Sequence, residues 1–141
     1  MGAIYVKNIK EELIPSVEKS IKEIDSNIII INEDEEIYIN DNIEKIKIKN
    51  INYINTEDRR IAYHLTNKKI VYSKTIQTNF HKEVEFLANK DYMKYAAQAI
   101  LINIINVKNI DKRDSSIYFN NGDSIRIPKA RLEEIYNLWK E

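Results

Sequence analysis

The side chains in this chain that are best suited to chemistry are few. Two histidines, His64 and His81, stand seventeen residues apart, with no third histidine and no cysteine to complete a metal set. His64 falls inside the apolar run Ile61–Leu65, where a structural or surface role is expected. His81 stands beside Lys82 and Glu83 at the start of a helix-like stretch, where it should face solvent. The lack of cysteine also excludes disulfides, thiolate zinc sites, iron–sulfur ligation and cysteine nucleophiles. Gly2 and Gly122 are the only glycines, so no glycine-rich phosphate loop can form, and no Gly-x-Ser-x-Gly elbow is present. The acidic run Glu33-Asp34-Glu35-Glu36 could attract a hard cation, but it lacks the glycine and ligand spacing of a calcium loop. It reads as a solvated turn. No catalytic set, metal or cofactor is expected, and the chain reads as a non-enzyme.

What remains is a set of basic and amide side chains between apolar segments. Arg59 and Arg60 lie in the polar stretch Thr56-Glu57-Asp58-Arg59-Arg60. Lys94, Tyr95 and Gln98 precede the run that starts at Ile100, and Lys129 and Arg131 follow Pro128. Arginine can fork to guanine O6 and N7, glutamine can pair bidentately with adenine, and lysine can neutralise phosphate. Three such loops on one edge of a β scaffold could address a groove. The competing reading is that each is an ordinary solvated side chain, and spacing alone leaves both open. Charge adds a hint. The formal net charge is zero, yet residues 1–45 carry five basic and eleven acidic side chains (−6), and residues 46–141 carry seventeen and eleven (+6). An acidic front on a basic remainder is a pattern seen where the partner is a polyanion.

These residues must be positioned by a chain of 141 residues, enough for one domain or one domain with a short appendage. Isoleucine (28), asparagine (17) and tyrosine (9) dominate, and glycine and proline occur twice each. Part of this bias reflects A/T-rich codons, but β-branched and aromatic content still favours strands. Leu13, Val17, Ile21 and Ile24 recur at helical spacing and predict an amphipathic helix over Lys10–Asp25. Ile28–Ile31 reads as a short buried strand, and period-two alternation follows at Ile37/Ile39 and Ile46/Ile48. Further strands are expected at 51–54, 61–65, 70–72, 100–105, 117–119 and 124–127. Phe80, Val84 and Leu87 predict a helix over 78–89, and Leu132, Ile135, Tyr136 and Trp139 predict another after Pro128. Asn121-Gly122 is the strongest turn signal, of the kind a two-residue hairpin requires. No apolar run approaches the roughly 18–20 residues of a membrane span, and no signal peptide is evident, so a cytoplasmic protein is expected.

In this order the segments resemble the LytTR DNA-binding domain, an output module of bacterial two-component response regulators, over about residues 37–138. Ile51-Asn52-Tyr53-Ile54 is similar to that family's opening strand, with Asn55 in place of the usual Glu. Arg60–Asn67 with Ile70–Tyr72 resembles its central hairpin, and Phe80–Leu87 its short helix. Met93–Asn103 resembles its most diagnostic stretch, keeping Gln98 and Asn103 but carrying Tyr95 and Ala97 where Arg and His are usual. Asn121–Arg131 resembles its closing hairpin and helix start, with Pro128 in place of Ser. Residues Gly2–Leu13 resemble the last strand and helix of a receiver domain, with Asn8 in place of Pro and no phospho-accepting Asp before it.

The resemblance implies a mainly β fold: an elongated antiparallel arrangement with short helices, preceded by the N-terminal amphipathic helix. It divides the chain into residues 1–27, a helical remnant or linker, and residues 28–141, the DNA-binding domain. It implies a sequence-specific transcriptional regulator whose loops enter successive major grooves of double-stranded DNA at promoter direct repeats, with a homodimer as one arrangement. Contacts are carried over to Arg59, Arg60, Gln98, Lys129 and Arg131 alone. An upstream sensor kinase follows only if a receiver domain exists outside this chain. The competing class is a protein-interaction or dimerisation module without DNA binding, and a small-molecule-binding β domain is a third.

Overall fold

The computed structural model describes residues 4–9, 28–39, 45–76 and 78–141. The helix expected over Lys10–Asp25 lies outside them. Among the described residues, twelve strands and two α-helices run in the order β1 (Ile4–Ile9), β2 (Ile28–Asn32), β3 (Glu36–Ile39), β4 (Ile46–Lys47), β5 (Ile51–Glu57), β6 (Arg60–Leu65) and β7 (Ile70–Thr75). Then follow α1 (Phe80–Ala88), β8 (Met93–Ala97), β9 (Ile100–Asn103), β10 (Val107–Asp111), β11 (Ser116–Phe119), β12 (Ser124–Arg126) and α2 (Lys129–Lys140). The mainly β class expected from isoleucine and tyrosine content is the one observed.

Among the described residues the strands form three sheets, ordered β1-β2-β3-β4, β7-β6-β5-β9-β8 and β10-β11-β12. All pairings are antiparallel except β1 with β2, which is parallel and joins segments from either side of residue 27. Successive side chains of a strand point to opposite faces, and β5 uses this to build two cores. Ile54, opposite Leu101, enters a cluster with Tyr63, Leu65 and Val71, with Val84 and Leu87 of α1, and with Ile29, Ile37 and Ile39 of the front sheet. Tyr53, opposite Ile102, faces the other way into a cluster with Ala96, Phe119, Ile127, Leu132 and Ile135. The central sheet is therefore covered on one side by β2–β4 with α1, and on the other by β10–β12 with α2.

Local chemistry explains the element ends. Asn79 caps α1, its side-chain oxygen accepting from the Lys82 amide at 2.9 Å. Ile104 and Ile105, expected to continue a strand, instead make a 3₁₀ turn, because the Asn103 side chain accepts from the Ile105 amide at 3.2 Å. Glu36 departs from the solvated acidic turn. It is 7% exposed, belongs to β3, accepts from Asn32 Nδ2 at 3.0 Å and lies 3.7 Å from Lys45 Nζ. The Asn-Gly turn spans three residues rather than two. Gly122 donates to Phe119 O (3.0 Å), Phe119 donates to Asp123 O (2.8 Å), and Gly122 alone has positive φ (95°).

Candidate nucleic-acid interface

The stretch 56–60 is much less of a loop than its polarity suggested. Glu57 and Arg60 face each other as the last pair of the β5–β6 ladder, leaving a two-residue turn at Asp58-Arg59. Both residues have positive φ, 52° and 61°, the pattern of a type I′ hairpin, which normally selects Asn-Gly or Asp-Gly. Both are exposed. Gln98 is also a hairpin tip. Lys94 and Tyr95 lie in strand β8 rather than in a loop, and Gln98-Ala99 turns the chain into β9.

Register brings these two turns together. β9 lies antiparallel beside β5, with Ile54 opposite Leu101 and Tyr53 opposite Ile102. Followed outward, the same register carries the end of β5 past the start of β9, so Asp58-Arg59 and Gln98-Ala99 occupy the same end of the central sheet. Lys129 and Arg131 belong to a different layer. They are exposed on the first turn of α2, whose Leu132 and Ile135 share the cluster of Ala96 on β8.

The two arginines of the hairpin are not equivalent. Arg60 lies with its guanidinium 4.6 Å from the centre of the Tyr72 ring, a cation–π arrangement. Tyr72 donates its hydroxyl to Glu57 Oε1 at 3.2 Å. His64 Nε2 lies 2.9 Å from both Glu57 Oε2 and Asn55 Oδ1. Both are acceptors, so this nitrogen carries the hydrogen. The His64 ring stacks on Tyr53 with centroids 4.0 Å apart. Burial pushes the His64 pKa down, and the carboxylates of Glu57 and Asp123 only partly oppose it. Tyr53 is pushed up to about 12, first by burial and then by Asp123 and Glu57. Arg59, by contrast, has no side-chain partner among the described residues.

A family model for the LytTr DNA-binding domain matches residues 41–140. The chain belongs to that family. One solved structure similar to it is the LytTr DNA-binding domain of a Bacillus cereus protein described as a methyl-accepting/DNA response regulator. The two share 13% identity over 69% of this chain and 86% of that one, with a TM-score of 0.53. At that identity the likeness speaks for the fold. No curated protein matches the chain. The family is a DNA-binding one and not a catalytic one. The matched range takes in the whole central sheet, both helices and the β10–β12 sheet, and leaves β1–β3 outside it.

Arg113 is a further cation of the LytTr domain that sequence spacing did not single out. The β10–β11 turn is fixed by two aspartates. Asp111 accepts from the amides of Arg113 (2.9 Å) and Asp114 (3.2 Å). Asp114 accepts from Ser116 Oγ (3.0 Å), the Tyr118 hydroxyl (3.1 Å) and Arg126 Nη2 (3.1 Å), bonds that hold its carboxyl below the usual range. The apex residue Arg113 is exposed and unpartnered among the described residues. The Ile127 amide donates to Ser115 O at 2.9 Å, so this turn lies against the segment that leads into Lys129. The β11–β12 ladder, which pairs Ser116 with Arg126, brings them near. No helix among the described residues is long and apolar enough to cross a membrane.

Proposed function

We propose that this LytTr domain is the output module of a response regulator, reading promoter DNA in a sequence-specific way. The observation that carries the reading is the β5–β9 register, which supports a joint approach of the Arg59 and Gln98 tips to one groove. Arg59, without a side-chain partner among the described residues, forks to a guanine edge, and Gln98 pairs with a base edge at the same end of the sheet. Arg60, held over Tyr72, serves the phosphate backbone of the same hairpin. Lys129, Arg131 and Arg113 neutralise phosphates of the neighbouring turn of the duplex. Two copies bind direct repeats, with residues 28–141 as the DNA-binding unit and residues 1–27 as the link to a receiver domain outside this chain. A sensor kinase enters only through that receiver. Chromosomal targets put the protein in the cytoplasm.

The alternative, a protein-docking module, draws on the exposed apolar side chains of Ile70, Tyr72 and Ile105. Titration of cognate and scrambled duplexes over a salt series separates the two. The DNA reading expects a steep salt slope on both duplexes, tighter cognate binding, and loss of that preference in Arg59→Ala. A flat salt response with no preference between duplexes favours the docking module.

A further inference from the structure

Arginine is poorly suited to positive φ, because its Cβ meets the backbone at a cost of roughly 1–2 kcal/mol. Aspartate tolerates this region better, so the anomaly at the Asp58-Arg59 turn is Arg59. Residues held in such conformations persist only when their surroundings over-determine them. The surroundings here are specific. The Ile76 amide donates to Arg59 O at 2.7 Å, which ties the turn to the chain leaving β7. Beneath it, Glu57 takes the Tyr72 hydroxyl on one carboxylate oxygen and His64 Nε2 on the other, and Tyr72 supports the Arg60 guanidinium. These groups stand on three adjacent strands and share the face of the sheet that carries Tyr53. Tyr72 is 38% exposed and His64 only 7%, so the network runs from the surface to the edge of the core.

We propose that Glu57, His64 and Tyr72 are positioning residues: they hold the strained Asp58-Arg59 turn so that Arg59 meets its base edge at a fixed distance and angle. The network touches no DNA itself. It lowers the number of orientations the tip can sample, and hence the entropy lost on binding. The proposal rests on the DNA-reading function above.

Tyr72→Phe and Glu57→Gln test it, since each keeps the shape of its side chain and alters the polar link. Each should weaken cognate binding roughly three- to tenfold, the scale of one net hydrogen bond, and Tyr72→Phe, which changes no charge, should leave scrambled-duplex binding and salt slope unchanged. The decisive readout is a double-mutant cycle. In an Arg59→Ala background, Tyr72→Phe and Glu57→Gln should have no further effect on cognate affinity. If the losses add independently of Arg59, or appear equally on scrambled DNA, the network is structural and the proposal is overturned. It is also overturned if Arg59→Ala weakens cognate binding while neither other variant does. If Arg59→Ala itself leaves cognate binding intact, the DNA reading of the hairpin fails first and the proposal falls with it. Far-ultraviolet circular dichroism and unfolding midpoints confirm that every variant is folded.

Discussion

Two hairpin turns of this LytTr domain solve the same geometric problem in opposite ways. The Asn120–Gly122 turn uses residues that suit it. Its single positive φ falls on Gly122, and the Asn121 side chain donates to Leu65 O (3.3 Å), Thr66 O (3.1 Å) and Asp123 Oδ2 (3.0 Å) while accepting from the Asp123 amide at 2.9 Å. It thereby staples the β10–β12 sheet to the end of β6. The Asp58-Arg59 turn needs two positive φ values and has no glycine for either. Its arginine side chain has no hydrogen-bond or ion-pair partner among the described residues. Where residue type, turn chemistry and packing agree, the turn serves the fold. Where residue type opposes backbone conformation and the side chain is left free, something other than stability has selected it.

That contrast breaks most sharply on Arg59→Gly. Cognate affinity should fall by about 1–3 kcal/mol, the usual worth of a bidentate base contact. The same change removes a left-handed strain of about 1–2 kcal/mol. Glycine's extra freedom in the unfolded chain returns roughly 0.5–1 kcal/mol of it. The unfolding midpoint should therefore stay level or rise while binding drops. Denaturant unfolding alongside DNA titration reads both, and a variant that loses stability as well as binding would remove the distinction between the turns.

The other turn should behave in reverse. Asn121→Ala leaves the Leu65 and Thr66 carbonyls without that donor, at a cost of about 1–2 kcal/mol of stability. In Gly122→Ala a Cβ would meet only Lys68 Nζ, at 3.5 Å, an ordinary contact. The cost is then the backbone's alone, about 1 kcal/mol. Neither change should alter the affinity of the molecules that remain folded. Thermal unfolding followed by titration below the transition checks both.

The two turns also mark how far the sequence could be read. Asn-Gly announced one hairpin, although its loop is a residue longer than the dipeptide implied. Helical spacing at Phe80, Val84 and Leu87 placed α1, and the strands at Ile28, Ile51, Ile61 and Ile117 followed from β-branched runs. Two strands gave no such signal. Met93–Ala97 contains no β-branched residue and is a strand because β9 pairs with it. In β10 the apolar residues Val107 and Ile110 are three apart, a helical interval. A register shift between Val107 and Asn109 lets both reach the core. The candidate interface was legible as residue types but not as a place. Arg59 and Gln98 come to the same end of the central sheet through β5–β9 pairing, and the stacking of Arg60 on Tyr72 depends on the register of the expected 60–72 hairpin, which residue types alone do not fix.

The smallest expected effect concerns the group between the two turns. His64 feels Glu57, at the stem of one hairpin, and Asp123, at the closing end of the other, while Tyr53 stacks on its ring, Asn55 shares its Nε2 and Tyr72 shares its Glu57 partner. Its folded pKa lies below the ordinary 6.5 because burial outweighs both carboxylates. As pH falls from about 6.5 toward that lower value, the unfolded chain takes up a proton that the folded chain refuses, so stability declines with falling pH. Below the folded value both states are protonated and the decline from this group ends. Above 6.5 both are neutral and His64 contributes no slope. Asp114 adds its own loss only in more acidic solution, as pH falls through its depressed folded value. Unfolding midpoints measured in small pH steps below 6.5 should show the His64 decline, and His64→Gln should remove it. If the decline survives that substitution, another group titrates in this window, and the neutral His64 that donates to Glu57 is no longer the link between the two turns.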